Sequence, residues 1–235
     1  GQKVDNGPTL SADIGLLRWV HYIEVGGFTI DPQVILPFGK LKLNAAGQEI
    51  SASGIGDPIL GATIWLYNNP ETKQAFGLTG LVSLPWGSYD ESKGPVNIGE
   101  NRTKFITQAA LVTPITEQFS IHLIGEYTFF GDNDDFGASG VTRAQDDQYG
   151  YQVHLNYHMS ATTTASLNYY HDYGAESQIE GVDQNDELDN NRWQVTLQHF
   201  LQPDLQVQVQ YGRSISVDNG FFENDRINLR FVKVF

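Results

Sequence analysis

The chain contains no cysteine, only one methionine and few basic residues. Without cysteine, no disulfide bond can cross-link the chain. The absence of cysteine suits a cell-envelope protein that must avoid stray disulfide bonds. No run of about 18 apolar residues occurs, which excludes a transmembrane helix.

Lys and Arg number 14 against 28 Asp and Glu, so the net charge is −14. No basic stripe can therefore meet phosphates, and nucleic-acid binding is excluded. No signal peptide is visible, so we expect the sequence to start within a mature or trimmed chain.

The end of the chain alternates between apolar and polar residues. Ile227, Leu229 and Phe231 fall on one face of an extended segment, whereas Asn228 and Arg230 fall on the other. The segment ends on an aromatic residue and resembles the closing strand of bacterial outer-membrane β-barrels. In that group the terminal aromatic residue is part of the signal that the assembly machinery reads. The resemblance therefore implies that Phe235 is an assembly signal.

The same period of two recurs through the rest of the chain. It is clearest in about residues 119–129, 151–158, 165–173, 193–201 and 205–217. In these segments the polar face is mostly Gln, Asn, Ser, Thr and His, and the apolar face is rich in Tyr, Phe and Trp. A soluble sandwich would place branched aliphatic residues inside and charged residues outside. The pattern instead favours a wall with lipid on its outside and a wet lumen on its inside.

Short and long connections alternate between the predicted strands. We predict about eleven strands, at about residues 10–23, 27–43, 57–67, 74–86, 99–113, 118–131, 146–159, 162–173, 189–201, 204–217 and 221–235. Short links lie near residues 25–27, 68–71, 114–117, 160–161 and 202–204, and longer ones near 44–56, 87–98, 132–145 and 174–188. In single-chain bacterial barrels the short turns are periplasmic, the longer loops are extracellular and the strand count is even.

An odd number of strands leaves the two ends of the chain on opposite sides of the membrane. If the last strand descends to the periplasm, the first of eleven strands begins outside the cell. We therefore expect one more rising strand upstream of Gly1. The predicted fold is all-β: a transmembrane antiparallel up-and-down β-barrel of twelve strands, with residues 1–235 in a single domain. The alternative is that residues 1–23 contain two short strands.

A glycine-rich segment precedes the third predicted strand. The stretch Gly54-Ile55-Gly56-Asp57-Pro58-Ile59-Leu60-Gly61-Ala62 follows a polar loop, and Gly80 to Tyr89 runs from a strand into a loop marked by Pro85 and Gly87. Both stretches resemble the outer-membrane channels of the meta-pathway phenol-degradation family, and the resemblance covers about Asp13 to Phe235. It implies a bacterial outer-membrane location and passive uptake of small hydrophobic or aromatic compounds. The motif residues are Gly54, Gly56, Asp57, Pro58 and Gly61.

The residues predicted to face the lumen are mixed in character. Twelve strands would leave a narrower lumen than the open channels of sixteen- to eighteen-stranded porins. The predicted path combines few charges with a sizeable apolar share, which favours hydrophobic or amphipathic solutes over ions. A narrow porin for small hydrophilic solutes is the alternative, and the apolar inward residues could also pack an inserted N-terminal segment. The lumen-lining candidates are Lys104, Ile106, Gln108, His122, Ile124, Glu126, Phe130, His154, Asn156, His158, Tyr170, Asp172, Phe200 and Arg230.

Two sets of predicted inward residues could carry chemistry. Ser120, His122 and Glu126 share a face with residues of the next strand and could form the triad of an outer-membrane lipid esterase. The twelve-stranded esterases, however, place their nucleophile on the lipid side, whereas these residues would face the lumen. Three histidines, His122, His154 and His158, could bind a metal, but they lack a fixed ligand spacing. We therefore expect no enzyme activity, no metal and no cofactor.

Acidic clusters mark two of the long loops, at 132–135 and 183–189. Neither has the glycine and terminal glutamate spacing of an EF-hand calcium loop. We interpret them as a solvated acidic rim that repels anions and lets cations bridge the surface to lipopolysaccharide. The expected partners are thus small hydrophobic or aromatic solutes, outer-membrane lipid and lipopolysaccharide, and the barrel-assembly machinery. We expect a monomer.

Overall fold

The computed structural model describes residues 7–235 and consists almost entirely of antiparallel strands. Eleven of them form one continuous curled sheet in which neighbours in sequence are neighbours in space. These wall strands are β1 (Thr9–Val20), β3 (Phe28–Ala45), β5 (Ile59–Asn69), β6 (Gln74–Ser83), β7 (Lys104–Pro114), β8 (Phe119–Phe130), β11 (Gln148–His158), β12 (Thr163–Gly174), β15 (Leu188–Gln202), β16 (Leu205–Asp218) and β17 (Arg226–Lys233).

Six further strands lie outside this path. β2 (Ile23–Val25) and β4 (Gln48–Ile55) both pair with β3. β9 (Asn133–Phe136), β10 (Val141–Gln145), β13 (Ser177–Ile179) and β14 (Val182–Asp183) form a separate four-stranded sheet built from two of the long loops. Among residues 7–235 helical structure is limited to a 3-10 turn at Glu91–Lys93, and no helix has the length and apolar character needed to cross a bilayer.

The all-β antiparallel architecture predicted from the sequence is confirmed, and all eleven predicted wall strands are present. Thr9–Val20 is one strand of 12 residues that pairs with β3 throughout, so this part of residues 1–23 does not divide into two short strands. Residues 1–6 lie outside the described residues. Among the strands that start later than predicted, β5, β7 and β17 are preceded by ordered loop segments. Residues 57–58 and 99–103 belong to a loop network, and residues 221–225 turn back toward Ser214, whose backbone N–H donates to the Glu223 carbonyl at 2.9 Å.

The curled sheet has two edges, β1 and β17. Neither edge pairs with another strand among residues 7–235, yet Arg18 on β1 and Arg230 on β17 lie close enough for their charges to repel. The two edges therefore come near each other. The twelfth strand expected upstream of Gly1 lies outside the described residues and stays a prediction.

The outer surface of the sheet is a continuous apolar layer. Its aliphatic side chains, such as Leu17, Leu123 and Leu197, are exposed. Aromatic rings lie near both ends of the strands. Phe119 stacks on Tyr157 beside the short turns, with ring centroids 5.0 Å apart. Beside the long loops the contacts are Phe105–Phe129, Tyr127–Tyr149, Tyr149–Tyr173 and Trp193–Tyr211. Two aromatic belts around an apolar band are what a bilayer selects.

Gly61 allows two wall strands to approach closely. A Cβ built on Gly61 would lie 2.0 Å from the carbonyl oxygen of Gly80 on the neighbouring β6. A contact under 3.0 Å with backbone cannot be relieved by a side-chain rotation, so only glycine fits at this point of β5.

The first prediction concerns the closed wall. Full-length protein extracted in detergent should migrate at different positions on a gel before and after boiling, because closure of the sheet between its edges β1 and β17 would leave no free edge from which to fray. The measurement is semi-native electrophoresis together with circular dichroism. Identical migration before and after boiling, or a helical spectrum, would contradict the fold.

Candidate functional site

The inner face of the sheet carries the polar side chains, in contrast to the apolar outer face. Most of the fully buried side chains among residues 7–235 are polar, and Phe130 and Val96 are the only large apolar ones among them. Because successive residues of a strand point to opposite faces, the registers assign each residue to a face. The inner face is the candidate functional site, since a solute crossing the wall would touch it.

The registers place the fourteen residues predicted to line the lumen on this one face. Lys104 pairs with Phe130, Gln108 with Glu126 and His122 with His154. Phe130 and Asn156 are buried, whereas His158 and Arg230 are exposed near the strand ends or the sheet edge. The remaining members are half-buried: Ile106, Ile124, Tyr170, Asp172 and Phe200, together with Lys104, Gln108, His122, Glu126 and His154. Phe235 lies beyond the end of β17 and is fully exposed.

Apolar and polar residues are unevenly distributed around the inner face. The aliphatic inward side chains are concentrated on β3 to β8, where they form the cross-strand pairs Ile35–Ile59, Leu81–Ile106 and Ala110–Ile124. They alternate there with polar inward residues such as Gln33, Thr63 and Glu126. On β11 to β17 the inward positions are mostly amides and hydroxyls. Those members are Gln148, Gln152, Asn156, Ser166, Asn168, Gln194, Thr196, Gln198, Gln206, Gln208, Gln210, Ser214 and Asn228. We call these two halves the aliphatic arc and the amide arc.

Hydrogen bonds between strands hold the amide arc in place. Asn168 Nδ2 donates to the Gln194 carbonyl at 3.2 Å and to Thr196 Oγ1 at 2.9 Å. Gln210 Nε2 donates to the same Thr196 oxygen at 3.0 Å. Asn168 also contacts His154 Nδ1, with 2.7 Å between the atoms. Since these side chains satisfy one another across four strands, they form a rigid polar surface.

Several charged residues of the inner face are absent from the fourteen predicted candidates. Arg192 lies on the inner face because it pairs with the inward Tyr170. Arg226 lies on the same face because it pairs with Gly212, which in turn pairs with the inward Gln194. Alternation with Trp193 and Val195, which are outward, could have identified Arg192. The lumen is therefore more charged than expected from the fourteen candidates alone.

A cluster of charges lies at the outer end of this face, in a loop where no period of two exists. The Glu100 carboxylate accepts hydrogen bonds from Arg102 Nε at 3.1 Å and Nη2 at 2.7 Å, and also from Lys104 Nζ. The Arg102 guanidinium stacks on the Phe130 ring, 4.5 Å from its centroid. Burial alone would raise the pKa of Glu100, but the neighbouring Lys104 and Arg102 outweigh burial and lower that pKa to about 2.

Arg143 belongs to the same cluster. It lies on β10, above the wall, and stacks on Phe136 with its Cζ atom 5.1 Å from the ring centroid. Burial and then the charge of Arg102 lower the pKa of Arg143. We call Glu100, Arg102, Lys104 and Arg143 the outer cluster. It combines three cations with one carboxylate.

The glycine-rich motif holds the loop that carries the outer cluster. The Asp57 carboxylate accepts hydrogen bonds from the backbone N–H of Gly87 at 2.8 Å and of Glu100 at 2.7 Å. The three glycines Gly56, Gly87 and Gly99 are packed so tightly that a Cβ on Gly87 would lie 2.6 Å from the Gly56 carbonyl carbon. The motif thus positions the Glu100 backbone.

Gly54 and Pro58 complete this loop anchor. A Cβ on Gly54 would come within 2.3 Å of Ser88 Oγ, and its φ of 152° also favours glycine. The Pro58 carbonyl accepts a hydrogen bond from Leu84 N–H at 3.0 Å.

The proposed esterase set is not brought together as a triad. Ser120 Oγ lies 3.0 Å from His158 Nε2, and the other ring nitrogen of His158 contacts Thr164 Oγ1 at 3.3 Å. His122 instead lies beside His154, with 6.4 Å between ring centroids. No carboxylate orients His158 among these contacts. Within residues 7–235 no group of three or more His, Cys, Asp or Glu residues is arranged to hold a metal ion.

The second prediction concerns Glu100. In the folded protein the pKa of Glu100 is about 2, below its ordinary value of 4.5 in the unfolded chain. The stability that the ionised Glu100 contributes is therefore fully present above pH 4.5 and is lost as the pH falls through about 2. Glu100→Gln should therefore lower the thermal unfolding temperature at pH 7, and this difference should shrink steadily below pH 4.5. Thermal melts of the full-length protein in detergent measure it.

Glu71→Gln, in an exposed turn, is the matched control and should leave the melting temperature unchanged. If Glu100→Gln melts like the unmodified protein at pH 7, the outer cluster does not stabilise the loop.

Comparisons with known proteins agree with this architecture. Residues 1–231 match the sequence model of the family described as "Putative MetA-pathway of phenol degradation". The chain is also similar to the crystal structure of the COG4313 outer membrane channel from Pseudomonas putida F1. The identity is 35%, the match covers 100% of this chain and 88% of that chain, and the TM-score is 0.95. No curated protein matched.

The predicted resemblance is confirmed by both comparisons. An all-β wall with an exposed apolar outer surface, together with a full-length match to an outer-membrane channel, places the protein in the bacterial outer membrane. The chain belongs to the phenol-degradation family of outer-membrane channel proteins.

Proposed function

We propose that the protein is a passive channel for small hydrophobic or aromatic molecules, which pass through a narrow and partly apolar lumen. The observation that carries this proposal is the division of the inner face into an aliphatic arc on β3 to β8 and an amide arc on β11 to β17. In a closed wall the two arcs line opposite sides of one lumen.

Such a lumen suits a flat solute that has one polar group. The ring can lie along Ile106 and Ile124 and gain the free energy of burying apolar surface, about 25 cal/mol per Å². A hydroxyl group of the same solute can exchange hydrogen bonds with the amides opposite, so that it is not left unsatisfied. The family description, which refers to phenol degradation, supports a solute of this kind.

A narrow porin for small hydrophilic solutes is the second candidate. It is favoured by the polarity of the buried inner side chains, including Gln33, Asn168 and Gln194. An esterase is disfavoured by the missing carboxylate partner of His158 and by similarity to a channel.

We also propose how the remaining surfaces are used. The exposed outer face contacts outer-membrane lipid, and the acidic loops approach lipopolysaccharide through bridging cations. The exposed Phe235 is available to the barrel-assembly machinery. A single chain suffices for one lumen, so we propose a monomer.

The third prediction tests the path. Ile124 is half-buried on the inner face between Ala110 and Gln152, whereas Leu123 is exposed on the outer face between Leu111 and Val153. Ile124→Glu should assemble normally, because its carboxylate can stay hydrated in the lumen, but it should slow the uptake of phenol. The measurement is the initial rate of radiolabelled phenol uptake by cells that depend on this protein.

Leu123→Glu is the matched control for position and charge. A carboxylate at position 123 should face lipid and lower the stability of the barrel. The cost in free energy should be less than the roughly 2–4 kcal/mol that a Lys or Arg costs at the midplane, and the yield of folded barrel should fall. Assembly failure of Ile124→Glu would mean that the faces are reversed. If Ile124→Glu assembles and leaves phenol uptake unchanged while altering ion conductance, the hydrophilic porin is the better account.

A further inference from the structure

The inner face of this protein carries most of its wall arginines together with three inward carboxylates, Asp31, Glu126 and Asp172. The chain has a net charge of −14, yet its arginines gather along the inner face and at its outer end. Only Arg213 faces outward, beside Trp193 on the neighbouring strand. The inward or mouth arginines are Arg18, Arg102, Arg143, Arg192, Arg226 and Arg230.

The outer cluster is the first part of this arrangement that a solute arriving from outside meets. Two carboxylates lie near its three cations: Glu100 binds Arg102 and Lys104, and Asp186 and Glu100 both lie within electrostatic range of Arg143. Arg102 is 6% exposed, and its Nη1 atom has no hydrogen-bond partner among residues 7–235. The unpaired Nη1 donor costs free energy because it is buried, although the guanidinium charge itself is paired with Glu100. Lys104 and Arg143 are partly exposed, so they are the members that can contact a solute.

Arg192 provides the next cation farther along the inner face. Its guanidinium lies over the Tyr170 ring, 4.3 Å from the centroid, and its Nη1 atom is 3.5 Å from an Asp172 oxygen. That distance exceeds a good hydrogen bond, and Arg192 Nε has no partner within the described part of the chain. The side chain is 29% exposed. Arg192 is therefore accessible and only partly neutralised.

Arg230 and Arg18 continue the series toward the periplasmic end. Arg230 lies four residues below Arg226 on the descending β17, and Arg18 lies near the lower end of β1. The two charges repel each other, and Asp31 is the carboxylate within electrostatic range of Arg18. Residues 7–235 supply neither arginine with an ion pair within 4 Å. Cations thus occur at several depths of one lumen.

Aliphatic surface lies beside the first of these cations. Ile106 follows Lys104 at the next inward position of β7 and pairs with Leu81 on β6. A carboxylate held by Lys104 and Arg143 would leave the rest of the molecule against these two side chains. An anion as small as acetate would bind the cations without contacting the aliphatic side chains. An uncharged aromatic molecule would contact the aliphatic side chains without pairing with the cations.

We infer that the inner face is a track for small carboxylates that have an apolar body, and that the outer cluster and Arg192 are its anion-binding positions. The inference rests on the proposed passive channel and names its solute class. Arginine suits this role because its planar guanidinium can pair with a carboxylate and stack on a ring at the same time. Several partly neutralised cations in series let an anion move from one to the next without a deep energy minimum.

The acidic loops do not prevent such selectivity. Their carboxylates are mostly exposed, and the field of exposed charges is screened within about 8 Å at physiological ionic strength. The half-buried cations of the lumen are screened much less. Inside the wall the inward carboxylates Asp31, Glu126 and Asp172 offset part of the positive charge, but they are outnumbered by Lys104 and the inward arginines Arg18, Arg192, Arg226 and Arg230.

Planar bilayers containing the full-length protein, with a tenfold gradient of potassium benzoate, test the inference. The reversal potential should show that benzoate carries more current than potassium. Arg192→Gln and Arg143→Gln should each lower the benzoate-to-potassium permeability ratio by about tenfold, the effect of losing roughly 1.4 kcal/mol of attraction. Arg213→Gln removes the outward arginine and should leave the ratio unchanged. Potassium chloride conductance checks that each variant is folded and open.

Calorimetric titration with benzoate, and with uncharged benzamide, provides a readout that needs no current. Benzoate should bind more tightly than benzamide, and both inner variants should weaken benzoate binding while leaving benzamide binding unchanged. A wild-type preference for potassium, or a ratio that neither variant changes, would overturn the track while leaving the passive channel intact. If no current flows but benzoate binding depends on Arg192 and Arg143, the anion site stands and the track fails as a path for anions. Absence of both current and binding overturns the track, whereas absence of phenol uptake is the result that overturns the passive channel.

Discussion

Backbone hydrogen bonding inside a bilayer is the constraint from which the rest of this structure follows. Hydrocarbon offers no partner to an N–H or C=O group, so a chain without apolar helices can cross only as strands that pair with their neighbours. Each of the nine inner wall strands is paired on both sides. Pairing fixes the register, and the register then fixes the face to which every side chain points. Lipid and lumen are thus separated by a single layer of backbone.

That separation explains why charge is distributed so unevenly. The outer face tolerates only apolar and aromatic residues in its central band, so the cations of an acidic chain are concentrated in the lumen and the loops. Glu100 compensates two of them and is itself held by the Asp57 anchor through its backbone N–H. The glycine-rich motif therefore acts on the channel indirectly, by setting where the outer cluster lies.

The period of two made most of the wall predictable from the sequence. Strands such as Phe119–Phe130 and Leu205–Asp218 lie within a residue or two of their predicted limits, because lipid on one side and water on the other impose strict alternation. The loops follow no such rule. The start of β7 at Lys104 and the sheet formed by β9, β10, β13 and β14 depend on contacts between residues far apart in sequence, such as Tyr89 with Asp135. Arg143 belongs to that loop sheet, and Arg102 lies in the loop before β7 although the sequence pattern predicts one strand over residues 99–113. The period of two therefore does not identify how either side chain is placed.

The separation of faces is tested most directly by cysteine accessibility along β7, and the absence of native cysteine makes the background clean. Single cysteines at Ile106, Gln108 and Ala110 should react with a charged, membrane-impermeant thiol reagent. Cysteines at Phe105, Thr107 and Ala109 should instead be protected in the bilayer and react only with a lipid-soluble reagent. Strict alternation along the strand is the predicted result. Uniform reactivity, or alternation of the opposite sense, would contradict the account.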